Sequence, residues 1–210
     1  MARLLYMKAS PLVDRSYSVA VADAYVEAYR AAHPSDTVDV LDVFHDKIPP
    51  FDGPVVRAKY AILHGKDHTE EEAEAWKAVV ETIERLKSAD RVVMAVAMWN
   101  FGIPYPLKQY FDVIVQPGLA FSYSPDTGYT GLVKGKPFLG VYARGGEYLL
   151  GTGGEELDFQ QRYLEAILGF IGFEEMESIV VEPTLMGGPE TAAAKRDEAI
   201  KKAKELAAAK

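Results

Sequence analysis

Residues 91–104 read R-V-V-M-A-V-A-M-W-N-F-G-I-P. From Arg91 to Ala97 the apolar residues occupy odd and even positions alike, so a strand here has two faces to bury. A strand with one wet face would alternate instead. A run of this kind predicts a central strand in a parallel sheet covered on both sides. The character changes at Trp99. Two rings, Trp99 and Phe101, flank Asn100, and Gly102 and Pro104 follow where the strand must end. Turn positions usually take small polar residues, so rings displayed there need something to face.

Outward from this stretch the chain alternates between two periodicities. Leu4–Met7 is a short buried strand. Val21, Tyr25, Ala28 and Tyr29 fall on one face of a helix spanning Ser18–Ala32. Thr37–Phe44 is β-rich, and Pro49-Pro50 and Asp52-Gly53-Pro54 break the chain into loop. Thr69 with Glu72 forms a capping box opening a helix whose buried face carries Ala73, Trp76, Val80 and Ile83. Further helices are expected over Pro106–Val115 and Leu157–Ile171, and strands over Lys136–Ala143 and Ser178–Val181. A final helix begins with Pro189 as its first residue.

Strand–helix alternation predicts an α/β three-layer sandwich, a parallel sheet with helices on both faces. Five strands in this length suggest a flavodoxin-like sheet in the order 2-1-3-4-5. One domain over 1–210 is expected. Residues 121–132, F-S-Y-S-P-D-T-G-Y-T-G-L, do not fit the alternation and are read as an excursion, a small hairpin that helps cover a site.

Composition narrows the function. The 210 residues include no cysteine, which excludes disulfides, thiolate metal sites and cysteine nucleophiles. The net charge is −8 and no basic stripe is present, so nucleic acid is not the expected partner. The N-terminal apolar run is too short for a signal peptide, and no run approaches the roughly 20 residues that span a bilayer. A soluble, cytoplasmic protein is expected, with no membrane partner.

In open α/β sheets, ligands bind outside the carboxyl ends of the strands. Three loops belong there. Ser10, Ser16, Tyr17 and Ser18 lead from strand to helix, where free N–H groups, the dipole and hydroxyls suit a phosphate. The plainer alternative makes Ser16 or Ser18 an N-cap and nothing more. Met98, Trp99, Asn100 and Phe101 offer an apolar wall, and Ala143, Arg144, Gly145 and Gly146 a backbone that a flat ligand can approach. Trp99 and Phe101 read alone could be core under a turn, and Arg144-Gly145-Gly146 a tight turn. Together the loops describe a phosphate joined to a planar heterocycle, as in flavin mononucleotide (FMN).

These residues, with L168-G-F-I-G172, resemble the FMN-dependent NADH-azoreductases, also described as NADH:quinone oxidoreductases, over nearly the whole chain. The resemblance implies that Ser10, Ser16, Tyr17 and Ser18 hold the phosphate arm. Met98 to Phe101 would line the isoalloxazine, and Ala143 to Gly146 its pyrimidine edge. Trp99, Tyr123 and Phe170 would shape a pocket for quinones or azo compounds. It further implies one FMN per subunit, NADH or NADPH as donor, hydride transfer through the flavin with ping-pong kinetics, and a homodimer with active sites at the interface. The flavin carries the chemistry, so no catalytic side chain is named. Ala97, Trp99 and Ala143 depart from the proline, tyrosine and serine frequent in that family; Ala143 loses a hydroxyl but keeps its backbone N–H, and Trp99 enlarges one wall, which bears on substrate preference more than on flavin binding.

Rivals are a flavodoxin-type FMN electron carrier that does not oxidise NAD(P)H, and a regulatory protein that kept the fold without the cofactor. Gly131–Lys136 resembles a phosphate loop but is one residue short and precedes a strand. His64 and His68 lack a third ligand, so no metal is expected, and Asp39 and Asp42 are read as exposed.

Overall fold

The computed structural model describes residues 1–208. Its central sheet is parallel throughout, in the order β2-β1-β3-β6-β7. The strands are β1 (Arg3–Ala9), β2 (Thr37–Asp42), β3 (Arg91–Ala97), β6 (Phe138–Ala143) and β7 (Met176–Val181). With the two hairpin strands set aside, this is the flavodoxin-like order expected from the sequence. Between β1 and β6 lies β3, and Val92 to Val96 are all buried. Burying one such side chain stabilises by about 1.5–3 kcal/mol, so the run that suggested a central strand also holds the sheet's middle.

Two cores flank the sheet because β-strand side chains alternate. Leu4 and Tyr6 of β1 point to the face covered by α1 (Tyr17–Ala32) and α6 (Gly188–Ala208). Leu5 and Met7 point to the face covered by α2 (Gly53–Leu63), α3 (Glu70–Lys87), α4 (Tyr105–Ile114) and α5 (Gln161–Ile171). The capping box forms in full: Thr69 Oγ1 accepts from Glu72 N, and Glu72 accepts from Thr69 N. Among the described residues no helix is long and apolar enough to cross a membrane.

Several boundaries differ from the sequence reading. Residues 53–63 form α2 directly after the break expected at Asp52-Gly53-Pro54, because Pro54 sits in the first helical turn, where a missing N–H costs no hydrogen bond. Strand β2 stops at Asp42, whose carboxylate accepts from Phe44 N and turns the chain. Helix α5 starts at Gln161 after a short 3-10 turn over Glu155–Leu157, and Pro189 is the second residue of α6. Asp39 and Asp42 are half-buried: Asp39 pairs with Arg3 at 2.7 Å and with Arg85 at 2.8 Å, and Asp42 with His45 at 2.9 Å.

Residues 121–131 form an antiparallel hairpin of β4 (Phe121–Ser124) and β5 (Gly128–Gly131). It docks on the end of α5, where Val133 N donates to Ile171 O at 2.8 Å.

Candidate active site

Because β1, β3 and β6 are adjacent and parallel, the loops that follow them emerge side by side at the carboxyl edge. The first carries Ser10, Ser16 and Ser18, all buried, and the half-buried Tyr17. Ser16 is the N-cap of α1: its Oγ accepts from Val19 N at 3.3 Å and lies 3.2 Å from Ser18 Oγ. Capping and phosphate binding are compatible. The cap uses one donor of the first turn, leaving the N–H groups of Tyr17 and Ser18 at the positive end of the helix.

The second loop is a tight turn. Trp99 and Gly102 exchange both backbone hydrogen bonds, at 3.0 and 2.9 Å. The central residues Asn100 and Phe101 have φ of 47° and 69°. Positive φ at both positions is what a type I′ turn requires, and Asn-Gly is its usual occupant. Phenylalanine in the left-handed region costs on the order of 1–3 kcal/mol. No other non-glycine residues with positive φ occur among the described residues. Trp99 and Phe101 remain 37% and 42% exposed, so burying the rings does not explain the strain. Phe44 and Tyr105 gather around Trp99 with ring centroids 5.6 and 6.1 Å away. Half-buried Met98 continues the ladder, its N–H donating to Ala143 O at 2.9 Å.

In the third loop, Ala143 is buried at the end of β6. Arg144 then turns inward. Its side chain is buried and meets Asp158 at 2.9 Å and Glu182 at 3.3 Å. Its N–H donates to Val181 O, and its carbonyl accepts from Thr184. Arg144 therefore offers no free polar group to a ligand, unlike the direct contact implied by resemblance. Gly145 and Gly146 lie beyond it. Among the described residues none accepts the N–H groups of Asn100, Phe101, Gly145 or Gly146. Phe101 and Tyr148 meet edge to face at 6.2 Å, closing the second loop on the third. Beside the turn lies an open, mostly apolar groove of about 390 Å³ lined by Gly102, Ile103, Phe159 and Tyr163, with Lys108 and Arg162 at its walls. Burial pushes the Tyr163 phenol up to about 12, so it stays protonated at neutral pH.

Tyr123 and Phe170 do not join this cluster within one chain. Helix α4 carries the chain back to the amino edge of the sheet, so the hairpin and the last turn of α5 lie at the other end. There Phe170 packs on Phe121 and Tyr129 at 4.8 and 5.5 Å, and Tyr129 packs on Tyr123 at 5.1 Å. The sequence reading missed Phe44 and Tyr105 around the turn and gave Tyr148, in the third loop, no role there. Tyr105 had a signal, an aromatic at the mouth of the helix after the loop; Phe44 had none.

An open, doubly wound α/β sheet whose strand-end loops gather at its carboxyl edge defines the class of this molecule. The profile of the family described as "Flavodoxin-like fold" matches residues 2–207, and the chain belongs to that family. A protein of Nitratidesulfovibrio vulgaris (strain DP4) named FMN-dependent NADH:quinone oxidoreductase is 55% identical over 207 residues, 99% of each chain. One of the same name from Desulfotalea psychrophila is 45% identical over 209 residues, 98% of each. Among solved structures, an azoreductase from Bacillus anthracis str. Sterne aligns with a TM-score of 0.90 at 30% identity over 100% of both chains. An FMN-dependent NADH-azoreductase from Bacillus anthracis str. Ames Ancestor, in complex with FMN, aligns with a TM-score of 0.87 at 29% identity, covering 99% of this chain and 100% of that one.

Proposed function

We infer that this chain is an FMN-dependent oxidoreductase that takes a hydride from NADH, or from NADPH, and passes two electrons to quinones and azo compounds. The observation that carries the reading is the Trp99–Gly102 turn. Its strained, outward rings and free N–H groups stand beside a serine-lined helix N-terminus. The donor set fits FMN. Ser10, Ser16 and Ser18 with the first amides of α1 suit a phosphate monoester, and the N–H groups of Gly145 and Gly146 suit the polar edge of a flat ring. Met98, Trp99 and Phe101 supply its apolar wall. Bound FMN supplies the hydride chemistry, while the protein holds, orients and shields it.

Tyr123 and Phe170 lie at the far end of their own sheet, so any wall they give an acceptor belongs to the site of a second copy. This supports a homodimer with one FMN per subunit and sites at the interface, working in the cytoplasm where reduced nicotinamide is supplied. Donor and acceptor then use the same face in turn. Steady-state rates with NADH and benzoquinone varied together are expected to give parallel double-reciprocal lines. Intersecting lines would rule out the exchange on one face.

A further inference from the structure

We propose that Arg144, clamped by Asp158 and Glu182, is the positioning residue that holds the ring-binding loops in register, an inference that rests on the FMN reading above. Among the described residues the arginine side chain bonds only to segments at the carboxyl edge. From the end of β6, its Nη2 donates to Asp158 Oδ2 at 2.9 Å and its Nε to Gln160 Oε1 at 3.1 Å, both just before α5. Its Nη1 donates to Glu182 Oε2 at 3.3 Å, just after β7.

Each partner then holds a site loop. Glu182 accepts from Tyr148 N and Leu149 N at 3.1 and 2.9 Å, fixing the far end of the Gly145-Gly146 segment. Gln160 Nε2 donates to Val96 O at 3.2 Å, near the end of β3. Asp158 Oδ1 accepts from Gln160 N and Gln161 N, and the next residue, Phe159, donates its N–H to Phe101 O at 3.0 Å. The strained turn and the glycine loop are therefore joined through one guanidinium.

Four carbonyl or carboxylate acceptors in different directions, with Gln161 Oε1 at 3.0 Å from Nη2 as the fourth, need a planar fork of donors, which an ammonium cannot imitate. Removing the charge outright would leave two buried carboxylates without their shared partner. A residue that only stabilised the fold would weaken FMN binding no more than any equally destabilising change elsewhere.

The test measures FMN affinity, by quenching of flavin fluorescence, in the unmodified protein, Arg144→Lys and Ile83→Ala. Ile83 is buried on α3 toward the opposite edge of the sheet and serves as the stability control. Arg144→Lys is expected to weaken FMN binding on the order of tenfold or more, while Ile83→Ala binds FMN like the unmodified protein despite a lower thermal midpoint. Unchanged affinity in Arg144→Lys, or an equal loss in Ile83→Ala, would overturn the assignment. If Arg144→Lys does not fold, Glu182→Gln carries the same comparison, with a tenfold loss expected and no loss contradicting it. An unmodified protein that takes up no FMN would overturn the underlying reading and this inference with it, an outcome distinct from variants that bind as well as their parent.

Discussion

Gly131 at the end of the hairpin and Gly172 at the end of α5 meet backbone to backbone: a Cβ on Gly131 would lie 2.4 Å from Gly172 N. Gly172 closes α5 with a φ of 119°, a conformation that glycine adopts without strain. The pair lets the hairpin sit directly on the helix end, which sets where Tyr123, Tyr129 and Phe170 are displayed.

Gly131→Ala is therefore expected to displace the hairpin, lowering stability by about 1–3 kcal/mol through overpacking. Benzoquinone KM should rise while FMN affinity stays near that of the parent, since the phosphate and ring loops lie at the other edge. An unchanged thermal midpoint would show that the close approach carries no constraint.

Phe101→Gly removes a residue strained at φ 69°. Relief of strain offsets the loss of the edge-to-face contact with Tyr148, so the urea midpoint should equal or exceed the parent's. Loss of the ring should lower kcat/KM for benzoquinone on the order of tenfold. A less stable variant with full activity would mean that Phe101 serves the fold and not the site.

Hydrogen bonds from Arg85 and Arg3 hold the Asp39 carboxyl at about 2, while burial opposes them. An unfolded aspartate titrates near 3.9. The folded-state value is the lower one, so the contribution is fully present above about pH 5 and is lost as the pH falls toward 2. Asp39→Asn should cost about 1–2 kcal/mol at pH 7, allowing for solvent screening, and little at pH 2. Urea unfolding at both pH values checks this; the same deficit at each would remove the ion pairs as its cause.

Much of the architecture was legible because local patterns carried it. The doubly apolar run at Arg91–Ala97 placed the central strand, and Thr69 with Glu72 marked the start of α3. Helix α2 was hidden because Gly53 and Pro54 signal a break in isolation yet are tolerated in a first turn. The three loops could be assembled from strand order alone. Arg144 could not be placed the same way: its partners Asp158 and Glu182 are 14 and 38 residues away, and only the tertiary fold decides that its side chain turns inward. Resemblance pointed to Tyr123 and Phe170 as pocket aromatics, but the sequence did not show them as residues at the opposite edge from Trp99. That separation follows from the direction of α4 and α5, which aromatic content does not encode.

The central claim is tested most directly by anaerobic absorbance titration of the FMN-loaded protein with NADH, followed by benzoquinone. The oxidised flavin band at about 450 nm should bleach with one equivalent of NADH and return when the quinone is added. A band that persists with both NADH and NADPH would contradict the oxidoreductase reading and leave a flavin-binding protein that exchanges electrons with other partners.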